Sequence, residues 1–113
     1  VYNIRLNAVG AGIEEPSGAL PNQFELRQNY PNPFNPTTTI AFTLKQPSRV
    51  VLNVYNAQGQ TIKKLASGEF DSGYYKFEWD ATDAQGAPMP SGIYFYQLVL
   101  DDQQVTKKMV YIM

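Results

Sequence analysis

The sequence predicts an all-β domain, folded as an antiparallel β-sandwich of seven short strands. Apolar segments recur about every ten residues from position 24 onward, and each is bounded by Gly, Pro, Asn or Asp. Within several segments apolar and polar residues alternate with a period of two, as expected for a strand with one buried face. The predicted strands cover residues 24–29, 38–45, 49–56, 60–67, 73–80, 92–100 and 104–112.

The alternation also predicts which residues face the core. In three of the segments one alternating set is apolar and is therefore expected to point inward. These sets are Ile40, Phe42 and Leu44; Tyr75, Phe77 and Trp79; and Tyr94, Tyr96, Leu98 and Leu100. In segment 92–100 the opposite set, Ile93, Phe95 and Val99, is also apolar, which is typical of a strand covered on both faces. We therefore expect a neighbouring domain to cover part of that face.

Glycines mark the predicted turns. Gly59 in "NAQGQ" and Gly86 in "DAQGA" lie between strand segments, where a short hairpin needs a positive φ. Gly68 and Gly73 are expected to separate the fourth strand from the fifth. The acidic pair at 101–102 is expected at the tip of a polar hairpin.

The first 23 residues differ in composition from the rest of the chain. Residues 10–23 are rich in Gly, Pro, Glu and Ser and have no apolar period. We predict that residues 1–23 are the end of a preceding domain followed by a linker, and that residues 24–113 form the domain itself. In the alternative, residues 1–9 add an edge strand to that domain. Because the chain opens with Val1 and shows no signal segment, we expect it to be a piece of a longer precursor.

Composition argues against several classes of function. The chain has no His and no Cys, so most nucleophilic, general-base and zinc arrangements are unavailable to it. Its net charge is −1 with no long block of like charge, which argues against a nucleic-acid partner. Its apolar runs are far shorter than the ~20 residues of a membrane-spanning helix. Any catalysis would have to rest on carboxylates, Lys or Tyr, and we expect no cofactor.

Asp80 and Asp83 in "WDATDAQG" are candidate calcium ligands. Calcium needs about six or more oxygen ligands, and two carboxylates three residues apart supply few of them. The favoured interpretation is that both side chains accept hydrogen bonds from backbone N–H groups of the loop.

The segment "NYPNPFNP" at residues 29–36 is called the proline segment below. Its prolines fix φ and lack the N–H donor, so it is neither helix nor central strand, and we predict a stiff, extended corner. Tyr30 and Phe34 are expected to plug the end of the sandwich. Asn32 and Asn35 are expected to bond backbone groups of the loop.

Two further alternatives remain open from the residues. Tyr55 and Tyr74 are candidates for an exposed carbohydrate-binding surface. Lys107 and Lys108 open the last strand, where lysines discourage edge-to-edge pairing. The functional alternative is that another protein reads this strand by strand addition.

Three separated segments together resemble one known family. "LRQNYPNPFNPTTTIAF" (26–42), "WDATDAQGAPMPSGIYFYQL" (79–98) and "TKKMVYIM" (106–113) resemble the type A C-terminal sorting domain of proteins exported by the bacterial type IX secretion system. The pattern is also similar to the immunoglobulin-like domain of flagellar hook-capping proteins. The order and spacing of the three motifs make this resemblance more specific than any one motif.

The resemblance implies a seven-stranded immunoglobulin-like or fibronectin III-like sandwich. Such a domain would be non-catalytic and would direct an upstream cargo domain across the outer membrane. Its partners would be the secretion channel and a sortase-like peptidase. The protein would be secreted or held at the cell surface of a Gram-negative-type bacterium after passing through the periplasm. The alternative is a structural surface or filament module that self-associates.

The family's motif residues carry over onto ten positions of this sequence. They are Pro31, Asn32 and Pro33; Gly92, Tyr94 and Leu98; and Lys107, Lys108, Met109 and Val110. Two positions depart from the pattern, because the family usually has Gly where this chain has Ala81, and commonly ends on a basic residue where it has Met113.

Overall fold

The computed structural model describes residues 24–101 and 103–113. The seven strands in this part of the chain are β1 (Phe24–Leu26), β2 (Thr38–Leu44), β3 (Ser48–Asn56), β4 (Thr61–Phe70), β5 (Gly73–Trp79), β6 (Gly92–Leu100) and β7 (Gln103–Tyr111). Each predicted strand is confirmed within a few residues at its ends. The predictions for residues 1–23, and for Asp102 at the hairpin tip, lie outside the described residues.

The strands form two antiparallel sheets that pack face to face. One sheet has the order β1-β2-β5 and the other the order β4-β3-β6-β7. Every pairing between neighbouring strands is antiparallel, which confirms the predicted antiparallel sandwich. In the four-stranded sheet β4 and β7 are the edges, as the lysines of the last strand suggested. No helix in residues 24–101 or 103–113 is suited to crossing a membrane.

The core lies between the sheets and contains the inward-facing sets that alternation predicted. The apolar sets of β2 and β6 are buried throughout, and Trp79 at the end of β5 is fully buried. Tyr75 and Phe77 are half-buried and pack against the core from the side. On the opposite face of β6, Ile93 is exposed and Phe95 is half-buried. Cover of that face by a neighbouring domain stays a prediction.

Strand β4 is longer than predicted, because one glycine does not interrupt it. Gly68 lies inside β4 and pairs with Val50, so its predicted role as a strand boundary is wrong. Its φ of 143° is one that glycine adopts readily, which allows the strand to continue. Gly59 and Gly86 have φ values of 85° and 86°, which confirms both predicted positive-φ turns.

Candidate functional site

The proline segment lies along the open edge of β7. The backbone N–H of Phe34 donates to Val110 O, and the N–H of Ile112 donates to Phe34 O, both at 3.0 Å. Between these bonds Phe34 forms a parallel bridge with Tyr111. The side chain of Asn32 adds a third bond, because its Oδ1 accepts from Val110 N at 2.9 Å. The segment therefore extends the four-stranded sheet at this end.

A fourth contact lies just before the proline segment. Gln28 Nε2 donates to the backbone oxygen of Lys108 at 2.8 Å. This bond and those of Asn32 and Phe34 together occupy four backbone groups that face the edge at the end of β7. They are Lys108 O, Val110 N, Val110 O and Ile112 N. A strand added by a partner needs such groups free. This end of β7 is therefore closed to strand addition in the folded domain.

The other side of the proline segment is bonded to β2. The backbone N–H and O of Tyr30 bond Thr39 at 3.0 and 2.9 Å. The buried side chain of Asn29 donates to Pro31 O and to the Thr38 hydroxyl, and that hydroxyl also donates to Pro31 O at 2.8 Å. The proline segment thus bridges the edges of the two sheets. Its three X–Pro peptide bonds are cis.

Phe34 fills the end of the sandwich, as predicted. It is 2% exposed, and its ring centroid lies 5.1 Å from that of Tyr111 and 5.7 Å from that of Trp79. Trp79 in turn packs against Tyr94 with centroids 5.1 Å apart. These four rings are called the aromatic plug below. Rings in tilted and stacked contacts at such distances add attraction beyond their buried area.

Tyr30, by contrast, does not belong to the aromatic plug, and the prediction for it is wrong. Its side chain is 80% exposed. Tyr30 pairs with Thr39, which alternates with the inward residues Thr38 and Ile40, so the pairing directs the tyrosine to the outer face of the sheet. The prediction that Asn32 bonds a backbone group of the loop is wrong about the partner, because its Oδ1 accepts from Val110 N in β7.

Two buried tyrosines fix the same end of the fold through their hydroxyls. The Tyr96 hydroxyl donates to Arg27 O at 2.7 Å and accepts from Asn29 N at 2.8 Å, and so joins β6 to the start of the proline segment. Burial raises the pKa of Tyr96 to about 12. The Tyr94 hydroxyl donates to Pro90 O, and burial together with nearby Tyr111 raises the pKa of Tyr94.

The two calcium candidates take part in loop bonds. Asp83 Oδ1 accepts from the backbone N–H of Gln85 at 3.0 Å and of Ala87 at 2.9 Å, which confirms its favoured structural role. Asp80 accepts from the Thr82 hydroxyl and lies 3.8 Å from Lys63 Nζ. The hydrogen bond from Thr82, with a smaller contribution from Lys63, lowers the pKa of Asp80. Within the described residues, no three acidic side chains are grouped to hold a metal ion.

The carbohydrate candidates do not form a flat aromatic surface together. Tyr74 is 54% exposed on β5, whereas Tyr55 is half-buried on β3 in the other sheet. The Arg27 guanidinium lies 5.6 Å over the centroid of the Tyr74 ring. A sugar stacking on that face of the ring has to displace this cation–π contact.

The ten motif residues carried over from the resemblance lie on three adjacent elements. Pro31, Asn32 and Pro33 lie on the proline segment, Lys107, Lys108, Met109 and Val110 on β7, and Gly92, Tyr94 and Leu98 on the neighbouring strand β6. The register pairs Gly92 with Tyr111, Tyr94 with Met109 and Leu98 with Val105. Segments that are far apart in sequence therefore form one continuous region.

Burial divides these ten residues into three groups. Tyr94, Leu98 and Met109 are buried in the core, where they stabilise the domain and are not accessible to a partner. The exposed members are Pro31, Asn32, Pro33, Gly92 and Lys108, while Lys107 and Val110 are half-buried. The role of the ten residues in sorting stays a prediction.

Sequence reasoning missed the residues that hold this region together. Gln28, Asn29, Thr38 and Tyr96 carry its hydrogen bonds, and Tyr111 completes the aromatic plug. Gln28 is 80 positions from Lys108, and Asn29 is 67 positions from Tyr96. No local pattern in the sequence marks contacts of this separation.

Three solved structures show the same fold. The dimeric latent PorU from Porphyromonas gingivalis is 20% identical at a TM-score of 0.66, over 88% of this chain and 10% of that chain. PorZ, a surface component of the type-IX secretion system of P. gingivalis, is 19% identical at a TM-score of 0.53, over 76% of this chain and 11% of that chain. FlgD from P. aeruginosa is 27% identical at a TM-score of 0.51, over 66% of this chain and 58% of that chain.

This chain therefore spans about a tenth of PorU and of PorZ, and somewhat more than half of FlgD. No curated protein sequence matches it significantly. The family model of the FlgD Ig-like domain matches residues 30–104, well over half of the 113 residues. That match begins in the proline segment and ends near the start of β7, so it includes the second motif and most of the first but not the third motif, at 106–113. The chain belongs to the FlgD Ig-like domain family.

Proposed function

We propose that this domain is a type A C-terminal sorting domain. It directs an upstream cargo protein through the type IX secretion machinery to the cell surface or the medium and is itself non-catalytic. The three motifs of the sequence resemblance support this proposal, and so does the fold that the domain shares with PorU and PorZ. The partners are the secretion channel and a sortase-like peptidase, and the cargo supplies any enzymatic activity.

One observation carries the proposal. The first and third motifs meet at the edge of β7, where Asn32 and Phe34 bond Val110 and Ile112, and the second motif lies on the adjoining strand β6. Motif residues from all three segments of this domain therefore lie within one region, where a single receptor can contact them. An export signal spread over separated segments needs this convergence, because a partner binds a continuous patch of surface.

The test is an export assay in a bacterium that has the type IX system. A fluorescent protein with a signal peptide and residues 1–113 at its C-terminus is expected to reach the cell surface, where antibody on intact cells detects it. Lys108→Glu reverses an exposed motif charge and is expected to reduce surface signal several-fold. Lys64→Glu reverses an exposed charge on the opposite edge strand β4, outside the motifs, and is expected to leave export unchanged.

A second candidate function is a structural module that packs against other domains or subunits. The outer face of the four-stranded sheet favours it, since Ile93 is 44% exposed and Phe95 and Tyr55 are only half-buried there. Retention of the unsubstituted fusion in the periplasm, with the domain folded and protease-resistant, contradicts the sorting function and leaves the structural one.

A further inference from the structure

We propose that Tyr30 is a recognition residue, whose ring enters an apolar pocket of a protein component of the export machinery. This inference deepens the sorting function proposed above and rests on it. Tyr30 is 80% exposed, the largest exposed fraction among the large hydrophobic side chains of the described residues. It lies next to Pro31 in the first motif but is not among the ten carried-over motif residues.

The backbone around Tyr30 is held on both sides. Its own N–H and O bond Thr39, and the oxygen of the next residue, Pro31, accepts from the Asn29 side chain and the Thr38 hydroxyl. Asn29 and Thr38 are 2% and 1% exposed, so water has little access to these bonds. The segment continues to Asn32, which bonds Val110. An exposed ring on so fixed a backbone loses little conformational entropy when a partner binds it.

The fold does not need this ring for its own core. Phe34 fills the end of the sandwich, while Tyr30 points to the outer face of the three-stranded sheet. Tyrosine is among the residue types most enriched at the energetic centres of protein interfaces. The hydrogen-bond network around Tyr30 holds its ring out in solvent, where the ring adds little to stability. We therefore assign the ring a role in binding.

The chemistry around the ring defines the partner surface. Tyr30 is followed by exposed Pro31 and Pro33, which have no N–H to donate. Pro31 O is already bonded to Asn29 and Thr38. With strand addition also closed at this end of β7, recognition depends on side chains. An apolar, aromatic-lined protein pocket fits such a tyrosine and proline surface, because interface tyrosines contribute most when they fill well-packed, desolvated pockets.

The test uses the same signal-peptide, fluorescent-protein and 1–113 fusion with substitutions at two exposed tyrosines. Tyr30→Ala is expected to lower the surface signal about tenfold, the loss typical of an interface aromatic. Tyr30→Phe is expected to retain export, because the apolar ring is kept. The matched control is Tyr74→Ala, which removes a ring that is 54% exposed on the same three-stranded sheet and is expected to export normally.

The purified 1–113 variants are melted in parallel to separate binding from folding. Tyr30→Ala is expected to melt within about 3 °C of the parent, because an exposed side chain contributes little to stability. Tyr30→Gln, which keeps a long side chain without the ring, replaces it in the assay if the alanine variant melts lower. Normal export of a folded Tyr30 variant without the ring overturns the proposal, whereas a parent fusion retained in the periplasm overturns the sorting function and this inference with it.

Discussion

Replacing Phe34 with alanine is expected to lower the free energy of unfolding by about 3–5 kcal/mol, the usual cost of deleting a buried aromatic ring. Phe34 is 2% exposed and lies between the rings of Trp79 and Tyr111. Its removal leaves a cavity where the proline segment meets both sheets. A domain of this size is stable by only about 5–15 kcal/mol, so the variant loses a large share of its stability.

Urea unfolding of the 1–113 chain, followed by tryptophan fluorescence, measures this effect, because Trp79 is the chain's one tryptophan and packs directly on Phe34. Phe34→Leu, which keeps most of the apolar volume, is expected to lose less than Phe34→Ala. The exposed neighbour provides the control, since Tyr30→Ala is expected to change stability by less than about 0.5 kcal/mol. A loss below about 1 kcal/mol for Phe34→Ala shows that Phe34 does not plug the sandwich.

Replacing Tyr96 with phenylalanine is expected to lower the free energy of unfolding by about 1–3 kcal/mol near neutral pH. The ring stays in place, but the hydroxyl that bonds Arg27 O and Asn29 N is lost. Both backbone groups are then left without this partner beside the core. Tyr74→Phe is the matched control, because it removes a hydroxyl from an exposed side chain and is expected to change little.

The same substitution is expected to change how stability depends on pH. Burial raises the pKa of Tyr96 from its ordinary value near 10.0 to about 12 in the folded domain, so the folded state favours the neutral phenol. The stabilisation is complete below the unfolded pKa and is lost as pH rises through the interval from 10 to 12. Tyr96→Phe is expected to reduce the loss of stability in that interval. Part of the loss remains, because the pKa of Tyr94 is also raised. Equal declines in parent and variant, measured by urea unfolding at several pH values, contradict this role of Tyr96.

The strands and their inward faces were predictable because both depend on local patterns. The alternation of Ile40, Phe42 and Leu44 requires only that one face of β2 meet the core, and all three are buried. The turns at Gly59 and Gly86 were predictable for the same reason. Where the structure of a residue depends on a partner far away in sequence, the local pattern does not predict it. Gly68 looks like a strand boundary in sequence, but pairing with Val50 keeps it inside β4.

The candidate site was predictable only in part, as Tyr30 and Phe34 show. Both are aromatic, both lie among prolines, and no periodic pattern distinguishes them. Their directions are set by bonding partners, because Tyr30 pairs with Thr39 on β2 and Phe34 with Tyr111 on β7. Sequence therefore located the proline segment, and the family resemblance grouped it with the last strand as motifs of one pattern, without predicting contact between them. The bonds that make the link, and the exposure of Tyr30, required the structure.

The closure of the β7 edge by the proline segment is tested most directly by amide hydrogen exchange of the 1–113 chain, read by NMR. The N–H groups of Val110 and Ile112 point to the edge, where Asn32 Oδ1 and Phe34 O accept from them. Ile112 N–H is expected to exchange slowly, like the amides of the central strand β3, because opening it requires the proline segment to leave the sheet. Val110 N–H is expected to be protected while the Asn32 side chain accepts from it. Asn32→Ala is expected to speed exchange at Val110 while Ile112 stays protected. Exchange of Val110 and Ile112 in the parent at the rate of an unfolded peptide contradicts the closed edge and, with it, the joining of the first and third motifs.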